Sequence, residues 1–233
     1  MLPAILTPSS CLSLIAAAPA MPGALPPAGD AGRLPTAHDG PPRLDTPAAS
    51  GRIPGNKGIW VGITCVFVEF AVLFSVYFVS RAHFPTDFEA GHARLSLVAG
   101  TTITLLLLTS SLLIALSVNA IRDGKRRQSI GWLIGGLVLA LGYPVAKYLE
   151  FRWNLAHGIR GDSGIFFTVY YYLTLTHLVH GFWGILGMLW VLARNLVGAY
   201  SSAEYSGLEA LASYWHVTDM IWLIIFSLCY VLV

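Results

Sequence analysis

Five separate stretches of this chain are apolar over about 20 residues each, the length that takes a helix across the hydrocarbon core of a bilayer. They are Ile59 to Val79, Leu95 to Val118, Ile130 to Leu149, Phe166 to Leu192 and Leu211 to Val233. Inside a bilayer every backbone N–H and C=O must be satisfied within the protein, which leaves only helices and closed barrels. The apolar positions follow no two-residue alternation, and turn signals do not recur every ten residues, so a barrel is excluded. Hydrophobic residues make up 55% of the chain and charged ones 11%, too apolar a balance for an ordinary soluble domain. The fold class is therefore all-α: a polytopic membrane protein built as a five-transmembrane-helix bundle.

Charge placement sets the expected orientation. The segment after the second stretch carries Arg122, Lys125, Arg126 and Arg127, the segment before the first carries Arg43, Arg52 and Lys57, and Arg194 follows the fourth. The alternate loops hold only Arg81, Arg94, Arg152 and Arg160. The positive-inside rule then puts the N-terminus in the cytoplasm and the C-terminus outside, as five spans require. A net charge of +2 with no basic block among aromatics gives no reason to expect a nucleic-acid partner. Cys11, Cys65 and Cys229 show no pairing pattern.

Residues 1 to 55 are dense in Pro, Ala and Gly and read as a disordered cytoplasmic tail, leaving 56 to 233 as the membrane domain. Met1 to Ala20 has a short apolar run ending in small residues. It lacks a basic start and is broken by prolines, so a signal peptide is disfavoured, and Met21 is an alternative translation start. Small residues recur at helix-packing intervals. Gly131 and Gly135 form a GxxxG, Gly181, Gly184 and Gly187 line one strip of the fourth span, and the second span carries Thr101, Thr102, Thr104, Thr109, Ser110 and Ser111. Such faces let backbones approach and hydroxyls bond between helices, within the bundle or toward another subunit.

Ionisable residues at membrane depth are the candidate functional groups. Glu69 stands mid-span, where an acidic residue costs roughly 2.5–3.5 kcal/mol. It reads equally as a proton-exchanging group or as one end of an interhelical hydrogen bond to a histidine. His177 and His180 share one face of the fourth span, and His180 lies at a depth close to that of Glu69. In the fifth span His216 and Asp219 share a face, an arrangement that suggests mutual charge pairing, while Trp215 and Trp222 repeat at seven residues on another. A lone HxxH is weak grounds for a metal, and no metal site is expected. Lys147 and Glu150 form an i, i+3 pair that snorkelling toward the interface would tolerate.

Taken in order, these patterns resemble subunit III of the haem–copper (cytochrome c) oxidases, most closely the five-span, NorE-like branch associated with nitric oxide reductase. Trp60 to Tyr77 is similar to the family's helix with a midmembrane glutamate, at Glu69. Leu105 to Ser111 resembles its second motif, and Lys147-Tyr-Leu-Glu150 before Phe151 its K-x-x-E-aromatic. Tyr172-Leu-Thr174 with His177-x-x-His180, and Tyr214-Trp-His216 with Asp219 and Trp222, are similar to its last two signatures. Leu175 stands where the family usually has glycine, and Thr218 where it usually has valine. Relative to seven-span members the first two helices are missing, and with them part of a lipid-holding cleft.

The resemblance implies an accessory subunit with no catalytic residues, in a bacterial inner (plasma) membrane. Its partner would be the catalytic haem–copper subunit, which carries the haem and metal. It would stabilise that partner and support its proton uptake, with membrane lipids around it and bound phospholipid as a candidate ligand. Glu69, His177, His180, His216 and Asp219 are then expected as buried polar contacts that fix helix register. Lys147 and Glu150 would tie down one end of the third span, and Gly131, Gly135, Trp215 and Trp222 would pack helices. Two rivals remain: a small proton-linked transporter or channel, motivated by Glu69 and His180 at similar depth, and a free-standing redox enzyme using the three span histidines.

Overall fold

A computed structural model describes residues 57–232; the tail expected over residues 1–55 lies outside the described residues. The described chain is helical: α1 Lys57–His83, α2 Pro85–His92, α3 Leu97–Arg122, α4 Arg126–Ala156, α5 Ile165–Leu196 and α6 Ser206–Phe226, the last running into a π-helical turn at Ser227–Val231. Five of these are long and apolar enough to cross a membrane, the fifth being α6 with its terminal turn. Each begins and ends within several residues of the apolar stretch that marks it. Most helix ends overrun those stretches because polar residues continue a helix once it has left hydrocarbon, whereas α3 starts two residues inside its stretch. The eight-residue α2 falls in the segment expected as a plain loop.

Local chemistry explains the ends. Ser96 precedes α3, and its hydroxyl accepts the Ala99 N–H at 3.3 Å, an N-cap. At the other end of α3, Gly124 takes φ +73°. The Lys125 and Gly124 amides then donate to the Ala120 and Ile121 carbonyls at 2.9 and 3.0 Å, a Schellman closure. Pro85 opens α2, where its missing N–H is no loss. Asp87 of α2 caps a different helix: its Oδ2 accepts from the Ile165 and Phe166 amides at 2.7 and 3.4 Å, at the positive end of α5.

The helices alternate in direction, giving one end with the basic Arg122–Arg127 loop and a far end with α2 and the 157–164 loop. α3 and α4 form the tightest pair, and α6 packs on both α3 and α5. In its most apolar stretch α6 is 50% buried, whereas α1 is 17% buried, so α6 is the bundle's centre and α1 its edge. The hydroxyls of α3 divide accordingly. Ser110 donates to the Gly136 carbonyl at 2.8 Å, and Ser117 to the Ser129 carbonyl at 2.9 Å, both across to α4. The exposed Thr102 and Thr109 instead bond their own helix four residues back.

The two glycines of the GxxxG differ within this chain. A side chain at Gly131 would meet nothing within 4 Å, so that residue is not a packing point within this chain. Close approach falls at Gly135, beside Leu113, and at Gly136, beside the Ser110 carbonyl, because those positions face α3. The glycine strip of α5 does pack: a Cβ at Gly181 would lie 2.8 Å from Tyr143, and one at Gly184 2.6 Å from Trp215.

Candidate functional site

The polar side chains at membrane depth gather into three groups. The first is sealed. Lys147 is 0% exposed and Glu150 4%, which corrects the snorkelling expected of this pair. The lysine Nζ spends its three N–H donors on Glu150 Oε2 at 2.9 Å, the Tyr230 hydroxyl at 2.9 Å and the Tyr170 hydroxyl at 3.2 Å. Both tyrosines in turn donate to Glu150 Oε1, at 2.8 and 2.6 Å. The rings of Trp222, Tyr170, Phe151 and Tyr230 surround the ammonium at 5.1–5.5 Å. Hydroxyls and π faces thus replace the water that snorkelling would have sought.

Next along the bundle axis is His177, fully buried. Its Nε2 lies 3.0 Å from the Thr218 carbonyl and its Nδ1 2.9 Å from the Tyr143 hydroxyl. A carbonyl only accepts, so Nε2 carries the proton and Tyr143 donates to Nδ1. One neutral tautomer satisfies both contacts and ties α5 to α4 and α6. Trp222, whose indole donates to Thr104 Oγ1 at 3.0 Å, fills the space between this imidazole and Lys147.

The second group is open. Glu69 Oε2 lies 3.4 Å from His180 Nε2, joining α1 to α5. Burial was expected of Glu69, yet its side chain is 39% exposed. The reason is position: α1 is the edge helix, and Glu69 faces along the seam rather than into the core. Nδ1 of His180 donates to the Thr176 carbonyl at 2.9 Å. That leaves Nε2 of His180 facing the Glu69 carboxyl across the seam. His180 and His177 both abut the Phe70 ring, but on opposite sides of the HxxH pair their partners diverge.

The third group corrects an expectation about the last span. His216 and Asp219 do not pair with each other. Nδ1 of His216 meets the Ser111 hydroxyl on α3. That hydroxyl also reaches the Asp219 carboxyl, but off the geometry of a full hydrogen bond, so both carboxyl oxygens are buried without an aligned partner among the described residues. Three residues apart on a helix, the two side chains diverge, and a hydroxyl from α3 fills the gap. Trp215 and Trp222 are both fully buried.

Sequence reasoning missed Tyr143, Tyr170 and Tyr230, which complete the buried hydrogen bonds. A tyrosine in an apolar span is ambiguous until its partner is known. It also missed Arg122–Glu209, a 2.8 Å ion pair between α3 and α6 at the basic end. Among the described residues, no three His, Cys, Asp or Glu side chains converge as a metal site.

These groups sit within a segment with a known counterpart. The family profile of cytochrome c oxidase subunit III matches residues 56–232. The chain belongs to the cytochrome c oxidase subunit III family. It is 30% identical over 179 residues to the cytochrome c oxidase subunit 3 of Thermostichus vulcanus, covering 75% of this chain and 86% of that one. It is 25% identical over 175 residues to the cytochrome bo(3) ubiquinol oxidase subunit 3 of Pseudomonas putida, 75% of this chain and 84% of that one. A heme-copper oxidase subunit I+III of Aeropyrum pernix shares 26% identity over 184 residues, 75% of this chain but 22% of that longer one. Of the two departures from the subunit III pattern, Leu175 is exposed, and the Thr218 hydroxyl donates to the Tyr214 carbonyl of its own helix at 3.0 Å, while the contact to His177 is made by its main-chain carbonyl, which a valine would also offer.

Proposed function

We propose that this chain is an accessory subunit of a respiratory haem–copper oxidase, docked on the catalytic subunit and carrying none of the redox chemistry itself. The observation that carries the reading is the subunit III match across the whole bundle, joined to what its polar side chains do. Lys147, Glu150, His177 and Tyr143 are consumed by contacts between helices and offer no open coordination position. Two of the relatives named above are subunits of a cytochrome c oxidase and a ubiquinol oxidase, and the third joins subunits I and III of a heme-copper oxidase in a single chain, which supports a partner of that type. We place the chain in a bacterial inner membrane with its basic loops in the cytoplasm, on the Arg122–Arg127 and Arg194 asymmetry.

The finer reading assigns the NorE-like branch and a nitric-oxide-reducing partner, on the five-span pattern and the motifs around Glu69 and His216. Purifying the tagged chain from its native membrane in mild detergent tests both. A co-purifying haem-bearing polypeptide that consumes oxygen supports the oxidase reading, and consumption of nitric oxide in its place supports the finer one. A chain that purifies alone and moves protons in proteoliposomes sinks both, in favour of the transporter.

A further inference from the structure

Three side chains on two helices line up across the α3–α6 seam in order of depth. His216 is half-buried and shares an outward stripe of α6 with Met220 and Ile224, which are 58% and 46% exposed. Ser111 of α3 is 8% exposed, and Asp219, three residues further along α6, is 4% exposed. An imidazole at the edge thus connects to a carboxyl inside through one hydroxyl: Ser111 Oγ meets His216 Nδ1 and reaches toward Asp219.

Neighbouring hydroxyls on α3 are placed differently. Thr102, Thr104 and Thr109 donate to carbonyls of their own helix, and Ser110 and Ser117 donate to carbonyls of α4. A hydroxyl whose proton rests on a carbonyl holds structure but passes nothing on, because a carbonyl has no proton to exchange. Ser111 instead has a titratable group on each side, and a hydroxyl can accept from one while it donates to the other. Asp219 needs only a turn about its Cβ–Cγ bond, a soft torsion, to bring an oxygen into line. Other ionisable groups on the helices packed against α6 are engaged elsewhere. Glu69 faces His180, His177 lies between Tyr143 and the Thr218 carbonyl, Tyr170 and Tyr230 serve Glu150, and Arg122 pairs with Glu209 at the basic end.

We propose that Ser111 is a proton relay and Asp219 a proton-storing site, loaded from the outer face of α6 through His216. A proton taken up at Nε2 of His216 makes an imidazolium. The Nδ1 proton then passes to Ser111 Oγ as the serine's own proton passes to an Asp219 oxygen. The Nδ1–H and the original Oγ–H bonds break, a new Oγ–H and an Oδ–H bond form, and no electron changes hands. An imidazolium facing a carboxylate becomes a neutral imidazole beside a neutral carboxyl. The relay stands on the geometry of this chain and does not depend on the accessory-subunit reading.

Infrared spectroscopy of the full chain in lipid nanodiscs tests this, at a pH where the carboxyl C=O stretch deleted by Asp219→Asn is present. On transfer to heavy water that band shifts as Asp219 exchanges its proton. Ser111→Ala and His216→Phe should each slow the shift about tenfold, the kinetic equivalent of one lost hydrogen bond. Ser111→Thr keeps the hydroxyl and should restore the parent rate, while Glu69→Gln should leave it unchanged. A hydroxyl that only holds the seam together would behave otherwise: its loss would lower the melting temperature and leave exchange as fast or faster. Should Ser111→Ala fail to fold, His216→Phe and Ser111→Thr carry the test. Exchange in His216→Phe as fast as in the parent would overturn the proposal, and so would slow exchange in Ser111→Thr. A carboxyl band seen at no pH would also overturn it, since Asp219 would then never hold a proton.

Discussion

Two acid–base pairs at membrane depth are built in opposite ways. Lys147–Glu150 is sealed, with every lysine N–H and both carboxylate oxygens spoken for by Tyr170, Tyr230 and each other. Glu69–His180 is a single 3.4 Å contact at the edge helix, with the glutamate 39% exposed. The sealed pair has no freedom to exchange anything, so its role is to fix α4, α5 and the terminal turn. The open pair holds α1 loosely and leaves a carboxyl within reach of whatever covers that flank. An acid faces a base in both; the number of remaining partners separates a lock from a latch.

The largest test of this contrast is to remove one member of the lock. Glu150→Ala strands a buried ammonium and should cost about 3–5 kcal/mol, read as lost thermal stability or failed accumulation. Replacing both together, as Lys147→Met with Glu150→Leu, should recover much of that loss, since a packed apolar pair needs no compensation. A single variant that melts with the parent protein would show the cluster is not a lock. Next, Gly184→Ala drives a methyl to 2.6 Å from the Trp215 ring, and should cost about 1–3 kcal/mol by overpacking. An unchanged melting temperature would mean that α5 and α6 slide freely.

Ser111→Ala removes the hydroxyl that separates His216 from Asp219. A loss of about 1–3 kcal/mol is expected from the buried groups left without it, and a stability equal to the parent would mean water already serves them. The smallest effect should come from Glu69→Gln, which keeps a hydrogen bond to His180 at an exposed pair: within about 1 kcal/mol of the parent, and with electron transfer of an assembled complex largely intact. Complete loss of turnover there would make Glu69 more than a latch.

The five spans were legible because hydrocarbon imposes a length and a composition, and both are local properties of sequence. The meeting of Glu69 and His180 was legible too, since counting residues from the ends of two antiparallel spans matches depths. What could not be read was direction around the helix axis. Glu69 and Asp219 look alike in sequence, yet one faces the seam of an edge helix and the other the centre. The sealing of Lys147 depends on Tyr170 and Tyr230, 23 and 83 residues away, and i, i+3 spacing is silent on them. Helix α2 escaped because eight residues behind a proline carry too little periodicity to distinguish from a loop.

The order of synthesis gives the Lys147 cluster a further consequence. Its two charged members lie on α4, while Tyr170 lies on α5 and Trp222 and Tyr230 on α6 and its terminal turn. A chain inserted as it emerges from the ribosome must therefore hold a lysine and a glutamate in or near lipid with only each other for company, until two later segments arrive. A truncated product ending before α6 would present that unfinished pair to the membrane, a natural mark by which quality-control proteases could tell an incomplete molecule from a finished one.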